Sequence, residues 1–415
     1  MRPARSLWTA APALFLALLA ARLLDPSRVL AVRDFATFHL PLRASLLRLL
    51  EAGAPEWNPW IGGGQPVLSD PSYSAFYPAT WLGLLLPLGW GFSLAAALHL
   101  ALAAAGGFVL ARRLGARPAV AAFAAVAWSG SGALLSNFHA YTLLAGGAWI
   151  PWILVAVDSG ERATEARARR RAGLWLALAL ALPVLNGEPV TVLCGGLAAG
   201  CFAVARSGGR ERLKSLGRVA SAALLAAALA GIQLVPAIAR LADTRRAGGL
   251  SRDEALTWSM PPARAIELVE PRAFGDPMRM EDGLYFGWGI QDRDFPFLFS
   301  LYASLLALAL ASVALARWPI PRRGAWTLMA ALGIVLALGR FTPIDPFLHD
   351  HVPPFSAVRY PEKFFLLTGL ALAFAAALGL EHLLREREAG RFRAANLPLA
   401  LGGLLAGAAL ALGTL

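Results

Sequence analysis

Long apolar runs separated by short basic gaps set the pattern of this chain. Runs near 7–24, 92–111, 119–136, 142–157, 173–185, 190–205, 219–239, 296–316, 324–339, 363–380 and 397–413 have the apolar character of membrane-crossing helices. The stretch "YPATWLGLLLPLGW" is too short and too rich in Pro for a span, and it predicts an interfacial or re-entrant segment. The pattern therefore predicts an all-α polytopic membrane protein with about 11 transmembrane helices. One membrane-embedded domain is expected over 1–415, with long polar loops at 25–78, 240–295 and 340–362.

Lys and Arg in the short loops set an orientation. With the N-terminus in the cytoplasm, "ARRLGARP", "DSGERATEARARRRAG", "RSGGRERLKSLGR" and "RWPIPRR" all face inward. The short outward turns "SNFHAY" and "NGEP" contain no Lys or Arg. Shifting the threading by one helix would reverse this positive-inside pattern. The three long loops then lie outside. The first segment has a basic start and an apolar middle, but "AARLLDPS" is a poor cleavage site, so a retained helix is expected.

Composition agrees with this solvent. Apolar residues make up 57% of the chain and charged residues 15%, against roughly 25% charge in ordinary globular domains. Mean hydropathy is +0.57. A net charge of +12 would suggest nucleic acid in a soluble protein. Here the arginines cluster in the short gaps between spans, and no nucleic-acid partner is read. Cys194 and Cys201 lie seven apart in one apolar run, on one helix face and too far apart along it to bridge. They read as small core residues. No metal-ligand spacing and no phosphate-cradling glycine loop is recognisable.

The acidic residues are distributed unevenly. Nineteen of the twenty-six fall in the three long loops and the turn at Glu188, and long structured loops tend to carry function. In loop one, Phe35, Phe38, Leu42, Leu46 and Leu49 recur at helical spacing, which suggests an amphipathic helix along the interface. Asp34 could cap it. Pro41, however, belongs in a first turn, so a helix starting near Pro41 would leave Asp34 and His39 free to face a cavity. Asn58, Gln65 and Asp70 are hydrogen-bonding groups suited to hydroxyl-rich ligands, or plain turn residues. Glu188 sits at the mouth between two spans, where it is either functional or solvated. Arg359 and Lys363 flank "YPE" before a span; they can grip a phosphate or simply snorkel to the interface. His99 reads as a packed, hydrogen-bonded histidine. His349 and His351 permit metal binding by spacing, without a supporting pattern, so no metal is assigned. A divalent ion stays possible but unsupported.

The segments "RDFATFHLPLR", "WNPWIGGGQPVLSDPSYSAFYP", "GIQLVPA", "WSMPP", "ELVEPRAFGDP" and "VPPFSAVRYPEKFFLL" together resemble the YfhO-like family of bacterial membrane proteins. That family resembles the C-type glycosyltransferase fold of the bacterial inner membrane. Its members are longer, with further helices after the point where this chain stops, so the resemblance implies a truncated sequence. It also implies a polyprenyl-phosphate-linked sugar donor, a glycan, lipid or protein acceptor, and a site on the extracytoplasmic face.

In that fold an acidic residue follows the first helix, and Asp34 matches it. By this resemblance Asp34 is the general base. From its charge, Arg359 is the first candidate for the contact to the donor phosphate, with Lys363 second, and Glu188 is a candidate for the acceptor. Many such enzymes carry two acidic residues in the first loop; only Asp70 is placed as the second, and no adjacent acidic pair is present. Two other classes fit the composition: a transporter or flippase for lipid-linked saccharides, and a non-catalytic partner in envelope assembly.

Overall fold

A computed structural model describes residues 12, 21, 23, 25, 27–29, 32–206, 208–244, 246–316 and 320–390. Nearly all of the expected span 7–24 and the whole of 397–413 lie outside the described residues. A π-helical turn, Phe35–His39, runs into α1, Leu40–Glu51. The strands β1, Trp57–Asn58, and β2, Gln65–Pro66, pair antiparallel, a small departure from the all-α expectation. There follow α2 (Pro78–Leu84), α3 (Leu88–Arg113), α4 (Pro118–Ser129), α5 (Tyr141–Arg162), α6 (Ala166–Leu185), α7 (Pro189–Val204), α8 (Gly209–Leu229) and α9 (Gly231–Arg240). The remaining long elements are α10 (Leu305–Ala316), α11 (Arg323–Ala337), α12 (Ile344–His351) and α13 (Phe365–Glu388).

Local chemistry sets these boundaries. Pro41, Pro78, Pro118 and Pro189 occupy first turns, where a missing N–H costs nothing and the fixed φ suits a helix. Three described helical segments, Leu88–Arg113, Tyr141–Arg162 and Pro361–Glu388, are long and apolar enough to cross a membrane. The number rises to five if the bent pairs Pro118–Ser129 with Gly132–Phe138 (40°) and Gly209–Leu229 with Gly231–Asp243 (75°) each count as one.

The straight helices expected over 119–136 and 219–239 are thus broken. At the first break the Ser131 hydroxyl accepts from the Leu134 N–H and restarts the chain as a new short turn. The span expected at 296–316 is helical only from Leu305. Before it, the segment is bonded elsewhere: Ser300 exchanges two hydrogen bonds with Ser136, the Tyr302 carbonyl accepts from Gly132, and Ala303 donates to Leu268. Ser304 then sits at φ 67°, outside helical geometry. Twelve helical residues reach about 18 Å, short of the ~30 Å hydrocarbon core.

The chain forms two compact units, Met1–Gly106 with Asn137–Gly248, and Gly107–Ser136 with Gly249–Leu415. In the first, α5 packs on α6 and α7, and α8 on α6 and α7. At one end of this unit, Ser215 donates to Glu161 and Arg206 pairs with the same carboxylate. At the other, the Ser74 hydroxyl donates to the Asn186 carbonyl and Gln233 donates to Leu68. Loops that the threading assigns to a common side therefore meet.

In the second unit α13 is central, with α10, α11 and α4 packed against it. Arg117 pairs with Glu381 and Glu388, and Arg385 with Glu381, tying the start of α4 to the end of α13. Small residues permit the close approach, as in other helix contacts within membranes. A Cβ on Gly379 would meet the Leu310 carbonyl, and one on Gly333 would meet Thr368.

This packing predicts that Gly379→Leu lowers the thermal midpoint of the purified chain, since overpacking costs about 1–3 kcal/mol or more. Exposed Gly196, whose Cβ would meet nothing within 4 Å, serves as the comparison. Gly196→Ala is expected to hold or raise that midpoint, by about 0.4–1 kcal/mol. Equal losses from both substitutions would contradict the assignment.

Candidate functional site

The turn before α1 explains Pro41. A proline inside an α-helix clashes with the carbonyl four residues back, here that of Thr37. Widening the preceding turn relieves the clash: the Leu40 N–H reaches back five residues to the Phe35 carbonyl. The α-helix proper does start at Leu40, as Pro41 suggests, but residues 35–39 continue the helix instead of forming an open turn. The wide turn also shifts the helical phase. Phe35, His39, Leu42, Arg43, Leu46 and Leu49 are buried, whereas Phe38, expected on the same face, is exposed.

Asp34 is the N-terminal flanking residue of the π turn and makes no side-chain capping bond. Its carboxylate is partly exposed and has no hydrogen bond or ion pair among the described residues. His39 is buried beside Tyr141, with ring centroids 6.3 Å apart.

Four other candidates of this unit are engaged in building the loop. The amides of Asn58 and Gln65 both donate to the buried Tyr73 hydroxyl, each at 2.7 Å. Their pairing across β1 and β2 relies on the turn at Gly62, Gly63 and Gly64, all with positive φ, which glycine adopts without strain. Asp70 accepts from the Ser72 N–H as an N-cap. Glu188 caps α7 through the Val190 N–H and also receives the Thr142 hydroxyl. A cleft of about 500 Å³ in the same unit is lined by Glu56, Ser69, Arg240 and Asp243, among others.

Arg43 was not a sequence candidate. It is 2% exposed, and its Nη1 donates to the Ser72 and Tyr73 carbonyls. The guanidinium carbon lies 5.9 Å from the Phe92 ring centroid. Burial lowers its pKa to about 10, so it stays cationic at neutral pH. Nearby, His99 bonds the Ala95 carbonyl and the Tyr77 hydroxyl, each at 2.6 Å, as a packed histidine should. Trp149 also donates to Tyr77.

In the second unit, Arg359 and Lys363 converge on one aromatic ring. Their cationic centres lie 4.5 and 5.2 Å from the Tyr360 centroid, and Lys363 also sits 5.3 Å from that of Phe297. Arg359 is exposed and Lys363 buried. Tyr360 has φ 71° and its edge-to-face neighbour Trp258 has φ 55°. Bulky residues in that region store about 1–3 kcal/mol each.

Neighbouring bonds hold this strain. Glu362 donates its N–H to Trp258, Tyr360 to Ala255, and Asp292 accepts from the Trp258 N–H. Beneath lies a fully buried ion group in which Arg264 pairs with Glu362 and Glu267. Arg264 and Glu362 were also missed by the sequence reading; Glu362 stands inside "RYPEKF" between the two cations that drew attention.

Arg359 also lines a narrow crevice with Asp345 and His349. His349 bonds Asp350 and the Leu250 carbonyl, and His351 bonds the Phe347 carbonyl. Among the described residues, no three His, Cys, Asp or Glu side chains come together as a metal-ligand set. Burial raises the Asp345 pKa from 3.8 to about 6, against the lowering pull of His349.

No protein-family model and no curated protein sequence matches the chain. Among solved structures, the arabinofuranosyltransferase AftD from Mycobacteria matches 96% of this chain at a TM-score of 0.53 and 19% identity. This chain spans 27% of the length of AftD. The archaeal oligosaccharyltransferase AglB from Archaeoglobus fulgidus, solved with an inhibitory peptide and a dolichol-phosphate, matches at a TM-score of 0.49 and 15% identity. That match covers 97% of this chain and 54% of AglB. ArnT from Cupriavidus metallidurans matches at 0.45 and 16% identity, over 90% of this chain and 77% of ArnT. The chain has the C-type glycosyltransferase fold.

Two predictions follow from the second unit's buried charges. Glu362→Gln leaves Arg264 with a weakened partner; breaking a buried pair costs about 3–5 kcal/mol, read as a drop in unfolding midpoint in detergent. An unchanged midpoint would deny the pair its structural role. Asp345 behaves in the opposite sense. Its folded pKa is raised, so its contribution is fully present below about 3.8 and lost as pH rises through about 6. Asp345→Asn is therefore expected to be more stable than wild type at pH 7, by about 3 kcal/mol, with the advantage vanishing below about pH 3.8.

Proposed function

We propose that this chain is a membrane glycosyltransferase related to the YfhO-like proteins. It moves a sugar from a polyprenyl-phosphate donor to a glycan, lipid or protein acceptor. The basic short loops support an orientation with the N-terminus in the cytoplasm and the reaction on the extracytoplasmic face of a bacterial inner membrane.

The observation that carries the reading is Asp34. Among the described residues it is a carboxylate without a capping bond or ion pair, just after the first apolar run, in a chain with the fold of a known arabinofuranosyltransferase. The carboxylates of Asp70 and Glu188 are occupied as helix caps. In this scheme Asp34 accepts the proton of the acceptor hydroxyl as that oxygen bonds to the anomeric carbon. The bond from that carbon to the phosphate oxygen breaks on the opposite face, so configuration inverts, and polyprenyl phosphate leaves with the electron pair. Positive charge beside the leaving phosphate stabilises the charge that develops there most effectively.

A second reading has one feature in its favour. Two helix pairs are broken at 40° and 75°, and discontinuous helices are common around transporter sites. A flippase for lipid-linked saccharides therefore remains the alternative.

Asp34→Asn separates the two. Transfer from a polyprenyl-phosphate sugar to added acceptor, followed in proteoliposomes of the full chain, is expected to fall about 10²–10⁴-fold with the thermal midpoint unchanged. If transfer persists while movement of the lipid-linked sugar across the bilayer stops, the transporter reading replaces the enzyme.

A further inference from the structure

The first unit buries a cation that makes no ion pair among the described residues. Arg43 is 2% exposed, and its Nε and Nη2 donate to no partner among the described residues. Among the described residues Arg43 makes no ion pair, and the Tyr141 phenol is the polar group that acts on its charge. Tyr141 is fully buried, and its hydroxyl is likewise without a hydrogen-bond partner among the described residues. Phe92 lies under both groups, 5.9 Å from the guanidinium carbon and 4.6 Å from the Tyr141 ring centroid. The two main-chain carbonyls of Ser72 and Tyr73 fix the guanidinium through Nη1 alone.

Which nitrogens remain matters. Nε–H and Nη2–H form the side-on edge of the guanidinium, two parallel donors spaced to receive two oxygens of one carboxylate or phosphate. The Tyr141 hydroxyl adds a third donor. Burying a cation without a counter-charge is unfavourable, and an oxyanion on this edge offsets that cost while satisfying both guanidinium donors.

We propose that Arg43 and Tyr141 form a phosphate-binding site in the first unit, separate from the Arg359 and Lys363 pair and independent of whether the chain transfers sugar. The group held is a phosphate monoester or free inorganic phosphate, and the two sources are distinguishable.

The test is binding to the full chain in detergent, read by equilibrium dialysis and by the thermal midpoint. The probes are inorganic phosphate and dodecyl phosphate. Wild type is expected to bind at least one of them saturably and to be stabilised by it. Tighter dodecyl phosphate identifies a lipid headgroup as the source; tighter inorganic phosphate identifies the free ion. Tyr141→Phe, which removes one donor, and Arg43→Lys, which keeps charge without the side-on pair, should each weaken binding about tenfold or more. Arg43→Gln should abolish it, and Arg359→Gln should leave it unchanged.

The proposal is overturned if neither probe binds wild type, which would mean that water satisfies these donors. It is equally overturned if Tyr141→Phe and Arg43→Lys both bind as wild type. Loss of binding in Arg359→Gln alone would place the anion in the second unit, removing this site while leaving the transferase reading intact.

Discussion

The cost of taking a charge out of water governs this molecule. With 15% charged residues and 57% apolar ones, most of the chain offers no solvent for an ion. Charges inside the fold must then be paired, and Arg264 with Glu362 and Glu267 shows how. Both Arg264 and Glu362 are fully buried, and their pairing joins the segments "WSMPP…EL" and "RYPEKF" that carry the strained Trp258 and Tyr360. The same rule makes the exceptions informative. Among the described residues Asp34 is unpaired at a partly exposed turn, and Arg43 makes no ion pair in the interior.

Much of the architecture was legible because apolar run length is a strong signal. The helices over 142–157, 173–185, 190–205, 324–339 and 363–380 appear within a few residues at most of their boundaries, although several extend further into polar sequence. What the pattern could not show was continuity. The runs over 119–136 and 219–239 read as single helices, because a bend at Gly130 or Gly231 leaves hydropathy unchanged. The run from 296 reads as helix, yet its backbone is bonded to Gly132, Ser136 and Leu268. Those partners are distant in sequence, and periodicity carries no trace of them.

The polar residues were harder to judge for a related reason. Asn58, Gln65, Asp70 and Glu188 stood out as hydrogen-bonding types, and all four do make hydrogen bonds that build the loop and cap helices. Arg359 and Lys363 do share one tyrosine ring. Arg43 escaped notice because a π turn rephases the helix and carries it onto the buried face. A signal was present: with His39 as the origin, Leu42, Arg43 and Leu46 fall on one stripe, and Pro41 demands a wider turn before it.

In our account a C-type glycosyltransferase fold presents an unpaired carboxylate to water on the outer side of the membrane, and the chemistry depends on that placement. The most direct measurement is the accessibility of position 34. Asp34→Cys, made in a chain whose buried Cys194 and Cys201 are replaced by Ala, would be exposed to a membrane-impermeant maleimide in intact spheroplasts. The account predicts labelling from outside, without permeabilisation. Labelling that occurs only after the membrane is opened would place this carboxylate on the cytoplasmic side and contradict the proposed reaction.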